Sequence, residues 1–325
     1  MNNYKIVKYT SNFYEVWNNF IQDAKNATFL FHRDFLEYHA HKFKDHSLMI
    51  FKDDKLVAVL PANINEGKLH SHQGLTYGGL IYNASLKFQS VLHVFQDVLQ
   101  FLHSNNVTSV FIKLLPSCYT KVPNDELEYL MYILQAKLTN RMFFSVVNLK
   151  EEVKFSRDRK AGAKRGKKSD LKIINDDDFD VFWNKILIPN LLEKHQSAPV
   201  HSLNDIKSLK SKFPNKIKQF NVYKSGSIVA GATLFLCNNI VRCQYISGNK
   251  QSNALGSLDL LFDELLNREY RNKSFFDLGA STKANNKLIN KGLLYWKEGL
   301  GARSVSQDFY QIETDNYKFL NDVLL

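Results

Sequence analysis

Two short apolar runs, residues 46–52 and 55–62, meet at Asp53-Asp54 and read as two strands joined by a tight turn. The figure recurs downstream, where residues 218–224 and 228–237 flank Ser225-Gly226-Ser227. Each pair follows a stretch of helical period, FHRDFLEYHAHKF at 31–43 and VFWNKILIPNLLEKHQ at 181–196. Each is followed by a further strand, within 68–82 in the first case and at 240–247 in the second. A glycine-bearing loop then leads into a helix, 86–105 or 257–270, and in the later one Leu258, Leu261, Phe262 and Leu265 share a face. Both series close on a compact apolar run, VTSVFIKLL at 107–115 and SFFDLG at 274–279, each expected as a buried strand.

Written as elements, each half is helix, strand, turn, strand, strand, loop, helix, strand. That order predicts an α/β (or α+β) fold in which a mixed sheet carries packed helices, built twice. The halves divide near residue 150, giving a first domain of 1–150 and a second of 151–325. At 325 residues with 44% hydrophobic and 23% charged side chains, the chain has ample core for both. The N-terminal MNNYKIVKYTSNFYEVWNNF holds no uninterrupted apolar h-region, and no window approaches the roughly 18 apolar residues that span a bilayer. A soluble, cytoplasmic protein is expected. Cys118, Cys237 and Cys243 are too few and too scattered for a disulfide framework or a zinc site, and read as buried thiols.

Charge changes the picture. The net +11 favours anionic partners: nucleic acid, a nucleotide-bearing substrate, or peripheral contact with an acidic membrane surface. It concentrates in KFSRDRKAGAKRGKKSDLK, residues 154–172, where nine Lys or Arg face two Asp. The segment reads as a solvated loop or as a polyanion contact, with Arg159, Lys160, Lys164 and Arg165 at its densest part. No helix-turn-helix or base-stacking array accompanies it, so DNA is not an expected partner.

Chemistry gathers in the second half. QYISGNKQSNALGSLDLLFDEL runs from strand through polar loop to a helix opening at Gly256-Ser257, with Ser257 as a good N-cap. The free N–H groups of such a helix start can bind an anion, although Asp259 in the first turn already answers its dipole. This order resembles the acetyltransferase-like GNAT fold, in which the loop after the fourth strand often receives the pyrophosphate of coenzyme A. QSNALGS keeps Gln251 and Gly256 of that pattern, at a different spacing and without its first glycine.

Three pieces together resemble FemAB-like proteins. RDRKAGAKRGKKSDLKI is similar to their basic segment, IVAGATLFLCNNIVRCQYISGN to their glycine-rich hairpin, and FFDLGAS with GLLYWKEGLGA to their closing signature. The match covers roughly residues 155–312, and the first half fits as the other GNAT-like domain. It departs from the pattern in Trp296, where the family has Phe, and in the Gly299-Leu300-Gly301 spacing. No coiled-coil hairpin insertion is present. The resemblance implies an acyltransferase that moves an acyl or aminoacyl group onto an amine of a cell-envelope precursor. Its donor would be an acyl-CoA or an aminoacyl-tRNA, taken as substrate with no tightly bound cofactor.

In such a reaction an amine attacks an activated carbonyl directly, a cation or N–H pair stabilises the oxyanion, and a base takes the proton. No covalent intermediate is required. Lys297, the lysine matched to the family, is the candidate for carbonyl or phosphate stabilisation, and Asp277 at its strand end the first carboxylate to test as base. Gln251, Gly256, Ser257 and Trp296 are the donor-side candidates, although a helix tryptophan also suits a core. On the acceptor side stand Tyr245 and, in HSHQGLTYGGLI, Tyr77 with Gly78 and Gly79, which let a ligand approach the backbone. His70 and His72 would share one strand face, and His32 and His39 one exposed helix face; neither pair suffices for a metal. A rival reading from another class is a non-catalytic polyanion-binding adaptor of the same fold.

Overall fold

The computed structural model describes residues 4–283 and 286–325. The chain forms two compact units, one of Met1–Met142 with Ser306–Leu325 and one of Phe143–Val305. The first therefore ends at Met142, short of the boundary expected near 150, and the last twenty residues belong with it and not with the second.

In the first unit Tyr4–Lys8, Leu48–Lys52, Lys55–Leu60 and Ile81–Tyr82 lie antiparallel in that order. Asp53 and Asp54 turn the central hairpin with φ of 49° and 61°. Lys68–His70 then runs parallel to Ser109–Lys113, which pairs antiparallel with Phe309–Glu313. A parallel partner requires a crossover, and helix Phe88–Ser104 supplies it. The helix buries Val91, Leu92, Phe95, Val98, Leu99 and Leu102, the i, i+3, i+4 stripe that its sequence shows.

The second unit repeats this logic. Lys172–Ile174, Ile217–Lys224, Ser227–Cys237 and Ile240–Gly248 pair antiparallel in succession. Ile240–Gly248 then meets Phe275–Ala280 in parallel, and that strand pairs antiparallel with Phe144–Asn148. Here the crossover is Ser257–Glu264, continued by a wider π-turn at Leu265–Glu269. The mixed α/β architecture and the doubled order of elements expected from the sequence are both present. Each unit has its own apolar cluster, one around Phe95, Leu99 and Val110, the other around Phe262, Leu265 and Phe276.

Two local expectations are corrected. The 31–43 pattern is not one helix. Only Arg33–Glu37 is α-helical, after a single 3₁₀ turn at Phe29–Phe31, and His39 lies beyond it, buried. Of the two readings of the basic segment, the solvated loop is excluded. Arg157–Lys168 is an α-helix capped by the Ser156 hydroxyl, which accepts from the Arg159 N–H. Its buried stripe is Gly162, Ala163 and Gly166, residues so small that no hydrophobic period announces them. Their smallness allows close approach: a Cβ at Gly162 would stand 1.7 Å from Asp259 Oδ2, and one at Gly166 2.7 Å from Leu260 Cβ. Among the described residues no helix is long and apolar enough to cross a membrane.

Candidate functional site

The site of interest lies in the second unit, where two parallel strands part. Ile240–Gly248 and Phe275–Ala280 stay in register only over Ile240↔Phe275, Val241↔Phe276 and Arg242↔Asp277. Beyond Arg242 the earlier strand runs on to Gly248 without that neighbour, and the Gly248 carbonyl accepts from Asn190 Nδ2 at 2.7 Å. At the point of parting sits a buried polar knot. Asp277, fully buried, receives Arg242 Nη1 at 2.6 Å on one carboxylate oxygen and the Gly279 N–H at 2.6 Å on the other. The Arg242 guanidinium also lies over the Phe144 ring, 5.0 Å from its centroid.

Lys297 reaches the same place from helix Lys291–Gly299. It is only 2% exposed, and its Nζ donates to the carbonyls of Gly279 at 2.9 Å and Ala280 at 2.7 Å. Burial pulls its pKa down to about 8, against the opposing pull of the Asp277 carboxylate. Cys243 is itself pushed up to about 12 by burial, so it stands as a neutral thiol. Lys297 and Asp277, singled out separately in the sequence, thus belong to one knot. Both are already committed to partners: the carboxylate holds Arg242 and a turn N–H, and the ammonium holds the strand end.

Beside the parted strands opens a cleft of about 880 Å³. Ile246, Ser247 and Gly248 line it from the strand, Arg159 and Arg165 from the basic helix, and Lys194 and Lys250 from the flanking segments. Trp296 and Tyr295 line it from the closing helix. Asp259 organises this wall: one carboxylate oxygen receives both Arg159 Nη1 at 2.8 Å and Trp296 Nε1 at 2.9 Å. Trp296 also packs edge-on against Phe262 at 5.3 Å, so it is a half-buried wall residue and a core residue at once. Arg165 is exposed, with no ion-pair partner among the described residues.

The donor-side candidates divide. Gly256 lines the cleft, as Trp296 does. It is Gly256, not Ser257, that precedes the helix as its cap, in a left-handed conformation with φ of 70°. A Cβ there would meet the Gly162 carbonyl at 2.1 Å, so the basic helix covers that helix start. Ser257 is buried, its hydroxyl bonded to that of Ser252 at 2.6 Å, and Gln251 is exposed and does not line the cleft. The basic helix divides in the same way. Arg159 and Arg165 face the cleft, whereas Lys160 and Lys164 line a separate hollow with Lys167, Asp263 and Asn267.

Tyr245 stands one residue before the cleft-lining Ile246. Its hydroxyl lies 2.6 Å from His201 Nδ1 and accepts the His201 N–H at 3.0 Å, and burial pushes its pKa up to about 12. Nothing in the spacing 201 to 245 announces this pair.

The first-unit acceptor candidates are core residues. Tyr77 is fully buried among Phe31 and Tyr119, and its hydroxyl donates to Thr28 Oγ1 at 3.0 Å, so it lines no cleft. Gly78 is required by close approach within the fold, since a Cβ would stand 2.0 Å from the Ser71 carbonyl oxygen. Gly79 supplies a left-handed φ of 104°. His72 has left the strand, also with positive φ, and stacks on His39 at 5.0 Å, while His70 stacks on Phe111.

No protein-family model and no curated protein matches the chain by sequence. Solved structures do match by fold. The structure of FemX superposes with a TM-score of 0.66 at 9% identity, over 94% of this chain and 96% of that one. L-PGS from Bacillus licheniformis gives 0.55 at 10% identity, over 85% and 90%. A tandem GNAT protein from the clavulanic acid biosynthesis pathway gives 0.50 at 10% identity, over 96% and 99%. At these identities the likeness is one of fold, and it is the FemAB-like, GNAT-type fold that the sequence resembles.

Proposed function

We propose that the protein is an acyltransferase that passes an acyl or aminoacyl group directly to an amine, with the donor held in the cleft of the second unit. The acceptor is an amino-bearing cell-envelope precursor, as in the family the chain resembles. The observation that carries this reading is the cleft beside the parted strands. Arg159, Arg165, Lys194 and Lys250 offer cations to the phosphates of a nucleotide-bearing donor, whether a CoA thioester or a charged tRNA end. Alongside, the strand segment at Ile246 and Ser247, past the end of the parallel pairing, offers backbone groups to the amide-like part of such a donor, as an exposed strand edge does for an extended peptide. Lys297 then acts by position, keeping the strand end of Gly279 and Ala280 in place without touching substrate.

A thermal-unfolding screen with acetyl-CoA, coenzyme A and aminoacyl-tRNA tests the reading. The true donor at about 100 times its dissociation constant is expected to add about 2.7 kcal/mol of stability. Because Arg165 is exposed and has no ion-pair partner among the described residues, Arg165→Glu is expected to leave the unliganded melting temperature unchanged and to weaken the donor about tenfold, a typical loss for one charge-assisted contact. Stabilisation by none of the three, or equal binding by the Arg165→Glu variant, would remove the cleft from the transferase reading.

A further inference from the structure

Residues 278–297 contain four lysines and no Asp or Glu. One of them, Lys297, is buried; Lys283, Lys287 and Lys291 are exposed. Within this stretch Thr282–Lys283 pairs antiparallel with Leu288–Ile289, and the two aliphatic side chains of the second strand point outward, Leu288 61% and Ile289 49% exposed. A two-residue ladder has no core of its own, so about half or more of each side chain is left to water.

We infer that this hairpin is a membrane-docking tip, seating Leu288 and Ile289 among the headgroups of an anionic phospholipid surface with Lys283, Lys287 and Lys291 on the surrounding phosphates. The pattern is that of an interfacial anchor: exposed aliphatic side chains flanked along the chain by cations, with no Asp or Glu within residues 278–297. None of the three lysines has an ion-pair partner among the described residues, so none must give one up to reach a lipid phosphate. A soluble acidic protein would satisfy the lysines, but two adjacent bare aliphatic side chains on a short hairpin suit the apolar depth of a bilayer interface better than a flat protein face. Placement makes the tip useful. Asn290, Gly292 and Leu293, the residues just after it, line the cleft, so docking the hairpin would bring the cleft mouth to the lipid surface. Helix Ile188–His195 contributes Asn190, Leu191 and Lys194 to the same cleft, and on it Leu192 is also bare at 65% exposure.

The test is co-sedimentation of the full chain with vesicles of phosphatidylglycerol and phosphatidylcholine, against vesicles of phosphatidylcholine alone. Binding to the first and not the second is expected, weakening as salt rises. Leu288→Ser with Ile289→Ser is expected to weaken it about tenfold. Lys287→Gln with Lys291→Gln is expected to weaken it about fivefold per lysine. All four positions are exposed, so the melting temperature should not move, which separates lost docking from lost folding. The inference is overturned if no vesicle is bound, if both vesicles bind alike, or if the serine pair binds as wild type does. It is also overturned if the serine pair abolishes a concentration-dependent self-association and leaves vesicle binding intact, since a second copy would then be the occupant. No transfer activity enters this measurement, so its outcome is independent of the proposed reaction.

Discussion

Replacing Asp277 by alanine is expected to destabilise the protein by about 3–5 kcal/mol, the cost of leaving a buried cation without its partner. Asp277 is fully buried, Arg242 is nearly so, and their 2.6 Å contact spans two strands at the point where they part. Removing the carboxylate takes the 2.6 Å ion pair from the guanidinium, which keeps Gln244 Oε1 and the Phe144 ring beside it, and releases the Gly279 N–H that fixes the turn. Replacing both partners with apolar residues, Asp277→Leu with Arg242→Met, should cost clearly less than the single change, because the guanidinium is then not left buried without its carboxylate. Urea midpoints of the two single variants and the double variant measure the coupling. The same experiment judges the alternative role. A general base would show lost transfer at an unchanged midpoint, and that result would return Asp277 to the chemistry.

Mild acid is expected to destabilise the first unit. His72 is buried in a left-handed turn, stacked on His39 with their ring planes 11° apart, and Phe43 meets both rings edge-on. Burial, helped by the charges of His39, Arg33 and Lys113, lowers its pKa from 6.5 to about 3. His39 is lowered in the same direction, again chiefly by burial. Between these two values the unfolded chain carries a proton at His72 that the folded chain does not. The unfolded state therefore gains as pH falls, and stability is lost through the window from about 6.5 down to about 3. For His72 alone the loss from pH 7 to pH 5 is about 2 kcal/mol, and the limiting loss near pH 3 approaches roughly 5 kcal/mol. His72→Asn keeps a residue that tolerates the left-handed turn, so its urea midpoint should vary less between pH 7 and pH 5 than that of wild type. Equal pH dependence in both proteins would assign the acid sensitivity to other groups.

Both predictions concern residues that the sequence marks but cannot place. Asp277 and Lys297 stand out by their position in FFDLGAS and GLLYWKEGLGA, yet their burial and partners depend on Arg242, 35 residues before Asp277 and brought opposite it only by parallel strand register. His39 reads as a polar helix position because local period carries no information about the loop that folds over it. Tyr77 and Gly78 read as a ligand-facing pair, since a glycine demanded by a neighbouring backbone looks the same in sequence as one demanded by a ligand. The solvated-loop reading of the basic segment, one of the two it allows, misses the helix for a related reason. Helices usually announce themselves through an apolar stripe, and this one packs on glycine and alanine.

The sequence by itself determined the doubled order of helix, hairpin, strand, helix and strand, because periodicity and turn chemistry act over a few residues. It also determined the buried runs and the concentration of charge near residue 160. Only the tertiary structure decided where the parallel strands part and which side of the basic helix faces the cleft. It alone decided that Lys297 is spent on backbone carbonyls and Asp277 on Arg242. Those outcomes rest on register and close packing between segments far apart in the chain, and no local pattern encodes them.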